Sequence, residues 1–189
     1  MKDIVILGGP NGAGKTTAAK ILLPEKLGLI EFINADEIAR GLSPFDVDRA
    51  ALSAGRLMIA RMRSLLDQGR SFALETTCSG RMYLRLLKQA KADGWRVNLL
   101  FLWLASPDIA LSRVARRVEE GGHAIPSEVV IRRYWAGLAN MRQHYLPLAD
   151  TAAIYDNGES RKLIAERKLG GELVVHEPSV WAEIESAHP

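Results

Sequence analysis

Residues 4–17, IVILGGPNGAGKTT, constrain this chain more than any other stretch. Residues 4–7 are a short apolar run, β-branched enough to form a buried strand. The run breaks at Gly8 and Gly9. Residues 9–16 then fit G-x-x-x-x-G-K-[ST], a phosphate-binding loop. Helical character follows from Thr17 to Leu23 and is expected to stop at Pro24. Strand, loop and helix in that order are the context the motif requires.

Each residue type in the loop has a physical job. Gly9, Gly12 and Gly14 let the backbone turn tightly and bring N–H groups close to a phosphate. Pro10, Asn11 and Ala13 fill the variable positions of the cradle, and Thr17 opens the helix whose positive end points at it. Lys15 can reach the β- and γ-phosphates, and the Thr16 hydroxyl can ligate Mg²⁺. Residues 9–17 are thus the expected ATP site, with Thr16 as the metal ligand.

The rest of the chain alternates. Candidate strands lie at residues 29–34, 71–75, 95–104 and 152–155, with 172–175 as an edge candidate. Helical stretches lie at 38–44, 46–68, 79–93, 106–120, 127–145 and 180–187. Residues 99–104 are continuously apolar, as suits a central strand buried on both faces. The expected fold is α/β, of the P-loop NTPase type: a parallel five-stranded sheet sandwiched by helices, with a helical lid. A length of 189 residues suits one domain, residues 1–189. A single cysteine, Cys78, excludes an internal disulfide, and no apolar run approaches the length of a membrane span. A cytoplasmic protein without a membrane segment is expected. The net charge of +3 is explained as well by a phosphate-handling site as by a nucleic-acid surface.

Three strand ends carry the chemistry. The phosphate loop follows the first strand, Asp36 the second, and Glu75 the third. In a doubly wound sheet such ends share one rim. Phosphoryl transfer needs a group to take the acceptor's proton, a metal, and cations over the phosphate oxygens. Asp36 is the candidate base, with a helix cap as its plainer role. Glu75 can bind the acceptor or hold the metal through water. Thr77 can bond the acceptor or close a turn. Arg113, Arg117, Arg132 and Arg133 lie on two successive helices that could act as a lid. Their planar guanidinium groups suit phosphate oxygens, although any one of them could simply be solvated. Residues 156–158 (DNG) follow the last main strand, where a purine can sit; a plain turn reads equally well.

Six segments resemble the zeta-toxin family of P-loop kinases: GGPNGAGKTT (8–17), INADEIA (33–39), ALETTCSG (73–80), RVARRVEEGGHAIP (113–126), IRRYWAGL (131–138) and YDNG (155–158). They occur in family order across nearly the whole chain. The resemblance implies an ATP-dependent, Mg²⁺-using kinase whose acceptor is UDP-N-acetylglucosamine or a related metabolite. It implies Asp36 as base, Lys15 and the loop on ATP, and Glu75 and Thr77 on the acceptor. It also implies lid arginines at the transferring phosphate. Arg117 matches the first of these; for the second, Arg132 or Arg133 substitutes, because His123 stands where it would be sought. A small antitoxin partner is usual for such toxins. The chain is short for a full toxin, which leaves room for a zeta-like kinase acting on a different small acceptor, such as an amino acid. Two rivals are an NTP-hydrolysing switch, which needs a water-positioning residue and switch loops, and a nucleic-acid end kinase, which needs a basic, aromatic-studded groove. No nucleic-acid partner is expected.

Overall fold

The computed structural model describes residues 2–26, 28–158 and 161–188. The first half runs β1 (Asp3–Gly8), α1 (Lys15–Lys26), β2 (Phe32–Asn34), α2 (Ala35–Leu42), α3 (Val47–Asp67), β3 (Phe72–Thr76) and α4 (Leu84–Ala92). The second runs β4 (Arg96–Trp103), α5 (Pro107–Glu119), α6 (Ser127–Asn140), a π-helical turn (Met141–Tyr145), α7 (Leu146–Leu148), β5 (Thr151–Asp156), β6 (Lys162–Arg167), β7 (Leu173–Val175) and α8 (Pro178–Ser186).

The strands form one sheet in the order β2-β3-β1-β4-β5-β6-β7. The five from β2 to β5 are parallel, and β6 and β7 continue the sheet antiparallel. The sheet therefore has seven strands, not five. β6 escapes a reading by periodicity because its apolar core, Leu163 to Ala165, is three residues between charged neighbours. β2 is shorter than expected, because the amide of Leu29 turns back to the carbonyl of Leu23 at 2.9 Å. Pro24 does not stop α1. Near a helix end it removes one intrahelical bond and little else, and the helix runs on to Lys26.

Helices are distributed unevenly over the two faces. Ile4, Ile6, Phe72, Leu74, Val97, Leu99, Phe101 and Ile154 point to one face, where they are buried with side chains from α3, α4, α5, α6 and α8. On the other face a small cluster joins Val5, Leu7 and Ala73 to Ala19 and Leu23 of α1. Beyond α1, no helix among the described residues lies over that face of β4 and β5, and Asn98, Leu100, Ala153 and Tyr155 are half-buried. The expectation that β4 is buried on both sides holds for most of its apolar run, since Leu102 and Leu104 are buried too; Asn98 and Leu100 are half-open on this side.

Parallel pairing aligns the strand ends. Leu7 of β1 stands beside Glu75 of β3, and Glu75 beside Asn34 of β2. No helix among the described residues is long and apolar enough to cross a membrane.

Candidate active site

The loop between β1 and α1 is held from three sides. At Gly9 (φ 142°) a Cβ would stand 2.3 Å from the carbonyl oxygen of Leu102, so no side chain fits where the loop leaves the sheet. Gly12 lies against α5, where a Cβ would come within 3.0 Å of the Ala110 carbonyl and of Arg113 Cβ. Asn157 Nδ2 donates to the carbonyl of Ala13 at 2.8 Å. The DNG turn thus braces the phosphate loop. Its own shape comes from Asp156 Oδ1 accepting the amide of Gly158 at 2.8 Å.

Inside this frame the donors are left for a ligand. Ala13 donates to Pro10, but the amides of Gly12 and Gly14 donate to no acceptor among the described residues. The helical ladder of α1 begins with the Ala18 amide donating to the Gly14 carbonyl at 2.9 Å, which leaves the amides of Lys15, Thr16 and Thr17 ahead of it. The Asn11 side-chain oxygen is buried without a hydrogen-bond partner. Lys15 Nζ folds back on the Pro10 carbonyl at 2.8 Å. The loop amides and the Lys15 ammonium are the donors an anion needs, with the helix dipole behind them, whereas the Asn11 oxygen can only accept.

Lys15 and Glu75 meet at 3.9 Å, with side chains only 7% and 10% exposed. Burial lowers the Lys15 pKa, and the nearby Glu75 and Asp36 carboxylates oppose that shift. Burial raises the Glu75 pKa, opposed by Lys15 and by the hydrogen bond from Thr16. Glu75 Oε2 accepts from the Thr16 hydroxyl at 2.8 Å and from Asn34 Nδ2 at 2.9 Å. Thr16 and Glu75 therefore share one spot beside the loop. Among the described residues no group of three or more His, Cys, Asp or Glu could hold a metal. Mg²⁺ commonly uses one or two protein oxygens, waters and substrate phosphates, and this hydroxyl–carboxylate pair fits that habit.

Asp36 is not the cap of its helix. Asn34 is: its Oδ1 accepts the amides of Asp36 at 2.9 Å and Glu37 at 3.3 Å. The Asp36 carboxylate, in the first turn of α2, has no hydrogen-bond or ion-pair partner among the described residues. Sequence reasoning missed Asn34, which links the helix bearing Asp36 to Glu75. The signal was present as N-A-D-E, an N-cap residue three positions before a glutamate.

A cleft of about 230 Å³ opens between these groups and the helical region 107–140. Asp36, Glu75, Lys15 and Thr77 line it, together with His123 and Arg133. Its apolar wall includes Met58, Met82 and Tyr83. Arg133 has no partner among the described residues, whereas Arg132 is exposed and does not line the cleft. Arg117 Nη2 donates to the His123 carbonyl at 3.0 Å, its Nε is buried without a partner, and its charge is felt at Lys15. Arg113 is committed elsewhere, donating to the carbonyls of Asn157 at 2.8 Å and Gly158 at 2.7 Å. Arg117 and Arg133 are thus brought to the site. Arg113 braces the DNG turn outside the cleft, and Arg132 faces solvent.

The segment after β3 carries Thr77 and is fixed by residues the sequence reading did not single out. Asn140 Nδ2 donates to the carbonyls of Cys78 and Ser79 at 2.9 and 3.1 Å, and the Tyr145 hydroxyl donates to Gly80 at 2.8 Å. A Cβ at Gly137 would lie 2.2 Å from the Thr77 carbonyl oxygen, so only glycine lets α6 approach this closely. Thr77 and Ser79 share a hydroxyl–hydroxyl bond of 2.8 Å. Cys78, fully buried with its pKa pushed up to about 12 by burial, is a packing residue and not a nucleophile.

Known proteins share this architecture. A crystal structure of AvrRxo1-ORF1:-ORF2 with ATP superposes with a TM-score of 0.77 at 19% identity, covering 98% of this chain and 64% of that one. The chain therefore spans a little under two thirds of that relative. The PezAT chromosomal toxin–antitoxin system of Streptococcus pneumoniae gives a TM-score of 0.68 at 18% identity, over 98% of this chain and 85% of that one. An uncharacterized protein of Haemophilus influenzae is 32% identical over 126 residues, 67% of this chain and 88% of its own length. The AAA_33 family model, described as an AAA domain, matches residues 4–143, and by that match, over a P-loop kinase-like fold, the chain belongs to the AAA_33 family.

Proposed function

We propose that residues 1–189 act as one ATP-dependent kinase domain that phosphorylates a hydroxyl of a small metabolite. One observation carries this reading. Asp36, with no partner among the described residues, lines the same cleft as Lys15 and Glu75, beside a loop whose amides are open to an anion. A nucleotide switch has no use for an unpartnered acid facing an acceptor-sized cleft.

ATP is held by the loop amides of residues 9–16, with Lys15 swinging from Pro10 to the β- and γ-phosphates. Thr16 and Glu75 would hold Mg²⁺, which would offset phosphate charge. Asp36 takes the proton of the acceptor hydroxyl as its oxygen bonds to the γ-phosphorus. The bond from that phosphorus to the β-γ bridging oxygen breaks, and ADP leaves. Arg117 and Arg133 supply positive charge from the helical side, and closure of that side excludes water. Thr77 orients the acceptor. Arg113 acts from a distance by holding the turn that braces the loop.

The size of the cleft bears on the acceptor. About 230 Å³ is below the roughly 300–1,000 Å³ usual for drug-sized ligands. A small acceptor, such as an amino acid, fits this space better than a nucleotide sugar. The second reading, a zeta-type toxin acting on UDP-N-acetylglucosamine, is supported by the ordered motifs and by the likeness to PezAT. A partner that restrains the enzyme belongs to that reading, since the AvrRxo1-ORF1 relative is crystallised with ORF2 and PezAT is a toxin–antitoxin system.

The test is mass spectrometry of a metabolite extract incubated with the protein, ATP and Mg²⁺. A small metabolite heavier by one phosphate is the expected result. Phosphorylated nucleotide sugar would establish the toxin reading instead. ATP turnover with no phosphorylated product would refute the kinase.

A further inference from the structure

A second cavity, larger than the cleft where the candidate catalytic groups converge, lies elsewhere. It has a volume of about 770 Å³ and lies on the opposite face of the sheet. Its floor is the uncovered side of β4 and β5, with Leu100, Ala153 and Tyr155. One wall is α1, with Leu22 and Leu23, and Leu169 stands 62% exposed on the other side. Parallel strands are almost always covered on both faces, because hydrophobic side chains alternate to both sides. Here β1, β4 and β5 pair in parallel, yet among the described residues α1 is the helix packed on this side of them.

The rim has a sign. Arg96, Arg161, Arg167 and Lys168 line the groove, and among the described residues the one acid lining it is Asp3. Asp3 is already used by Arg96, at 2.5 Å. Arg161 donates to the side-chain oxygen of Asn157, and Arg167 to the carbonyls of Leu146 and Ala149. Lys168 has no side-chain partner. Among the described residues, none of these last three cations meets a carboxylate. An apolar floor under a rim whose described cations outnumber its described acids selects an occupant with an apolar stripe and acidic flanks.

We propose that this groove is the docking site for an acidic amphipathic helix of a partner protein. The helix would lie beside α1 and complete the second layer over β4 and β5. The eight residues of β4 span roughly 26 Å at ~3.3 Å per residue. A helix of about 17 residues matches that length at ~1.5 Å per residue. A second copy of this chain is a poor occupant, because two-fold pairing through this face would set one basic rim against another. The inference is independent of the catalytic reading, since no groove residue belongs to the cleft.

The test uses the full-length chain and two labelled synthetic helical peptides of about 17 residues. Both carry leucines at i, i+3, i+4 and i+7; one has glutamate flanks, the other lysine flanks. Fluorescence anisotropy should show binding of the glutamate peptide only, weakening as salt rises. Arg161→Glu and Lys168→Glu, both at exposed positions, should each weaken it at least fivefold with melting temperature unchanged, and Leu100→Lys should abolish it. Lys15→Ala should leave binding intact, which separates the groove from the nucleotide site. Equal binding of the two peptides, or none, overturns the proposal. So does concentration-dependent dimerisation in the ultracentrifuge that Leu100→Lys abolishes, which would assign the face to a second copy. Binding to phosphatidylserine vesicles in preference to the glutamate peptide would assign it to a membrane surface.

Discussion

The phosphate loop and the acceptor cleft share Lys15 and Glu75 but are built on opposite principles. Around the loop, the framework is closed: Gly9 touches the Leu102 backbone, Gly12 touches α5, and Asn157 ties the Ala13 carbonyl. Only the donors that face a phosphate are left open. In the cleft, Asp36 and Arg133 have no partners among the described residues, and the apolar surface between them includes Met58, Met82, Tyr83 and Ile125. A preorganised anion site can serve any triphosphate chemistry. On the proposed reading, the acid and cation across from it are what would turn phosphate binding into transfer to a particular alcohol.

The comparison breaks first at Lys15. We expect Lys15→Ala to remove detectable phosphoryl transfer in a coupled ADP-release assay, because the loop loses its only mobile cation. Preserved activity would mean the loop is not the donor site. Next is Asp36→Asn, which should lower turnover at least about 100-fold, the scale for losing a general base. ATP affinity by titration calorimetry should stay within about twofold. Equal losses of affinity and rate would make Asp36 a structural residue of α2.

The same contrast explains what was legible in the sequence. The loop is legible because its chemistry is local: nine consecutive residues carry the glycines, the lysine and the threonine. Asp36 and Glu75 are legible because parallel strands end on one rim, so strand ends can be read as neighbours. Asn34 and Gly137 are harder, because their roles come from pairings distant in sequence. Asn34 reaches Glu75 across the β2–β3 register, and Gly137 admits the Thr77 carbonyl from a helix sixty residues away. The arginines show the limit of motif reading. Arg132 and Arg133 are adjacent and chemically identical, and only the helix orientation turns one into the cleft. In the fold, β6 and the half-bare face were hidden by the same cause. Short or continuously apolar strands carry too little alternation to reveal what covers them.

Smaller effects sharpen the contrast. Gly137→Ala forces α6 off the Thr77 backbone. It should cost about 1–3 kcal/mol of stability in denaturant titrations, as overpacking does, and should impair transfer more than ATP binding. An unchanged midpoint would mean the α6 contact is dispensable. Smaller still, Arg133→Ala should raise the acceptor KM about tenfold or lower kcat by a similar factor, by loss of a charge-assisted contact. The neighbouring Arg132→Ala should change neither beyond twofold, as for a solvated side chain. The reverse order would show that α6 turns its other arginine to the substrate.

The central claim is that a γ-phosphate on the loop and the Asp36 carboxylate can be bridged by one acceptor hydroxyl. A crystal structure with Mg²⁺ and a non-hydrolysable ATP analogue measures this directly. The account predicts Asp36 directed at the cleft, with its nearest oxygen about 5–7 Å from the γ-phosphorus, the span of a hydrogen bond plus a near-attack contact. An Asp36 carboxylate turned to solvent, or a separation no single hydroxyl can bridge, would contradict it.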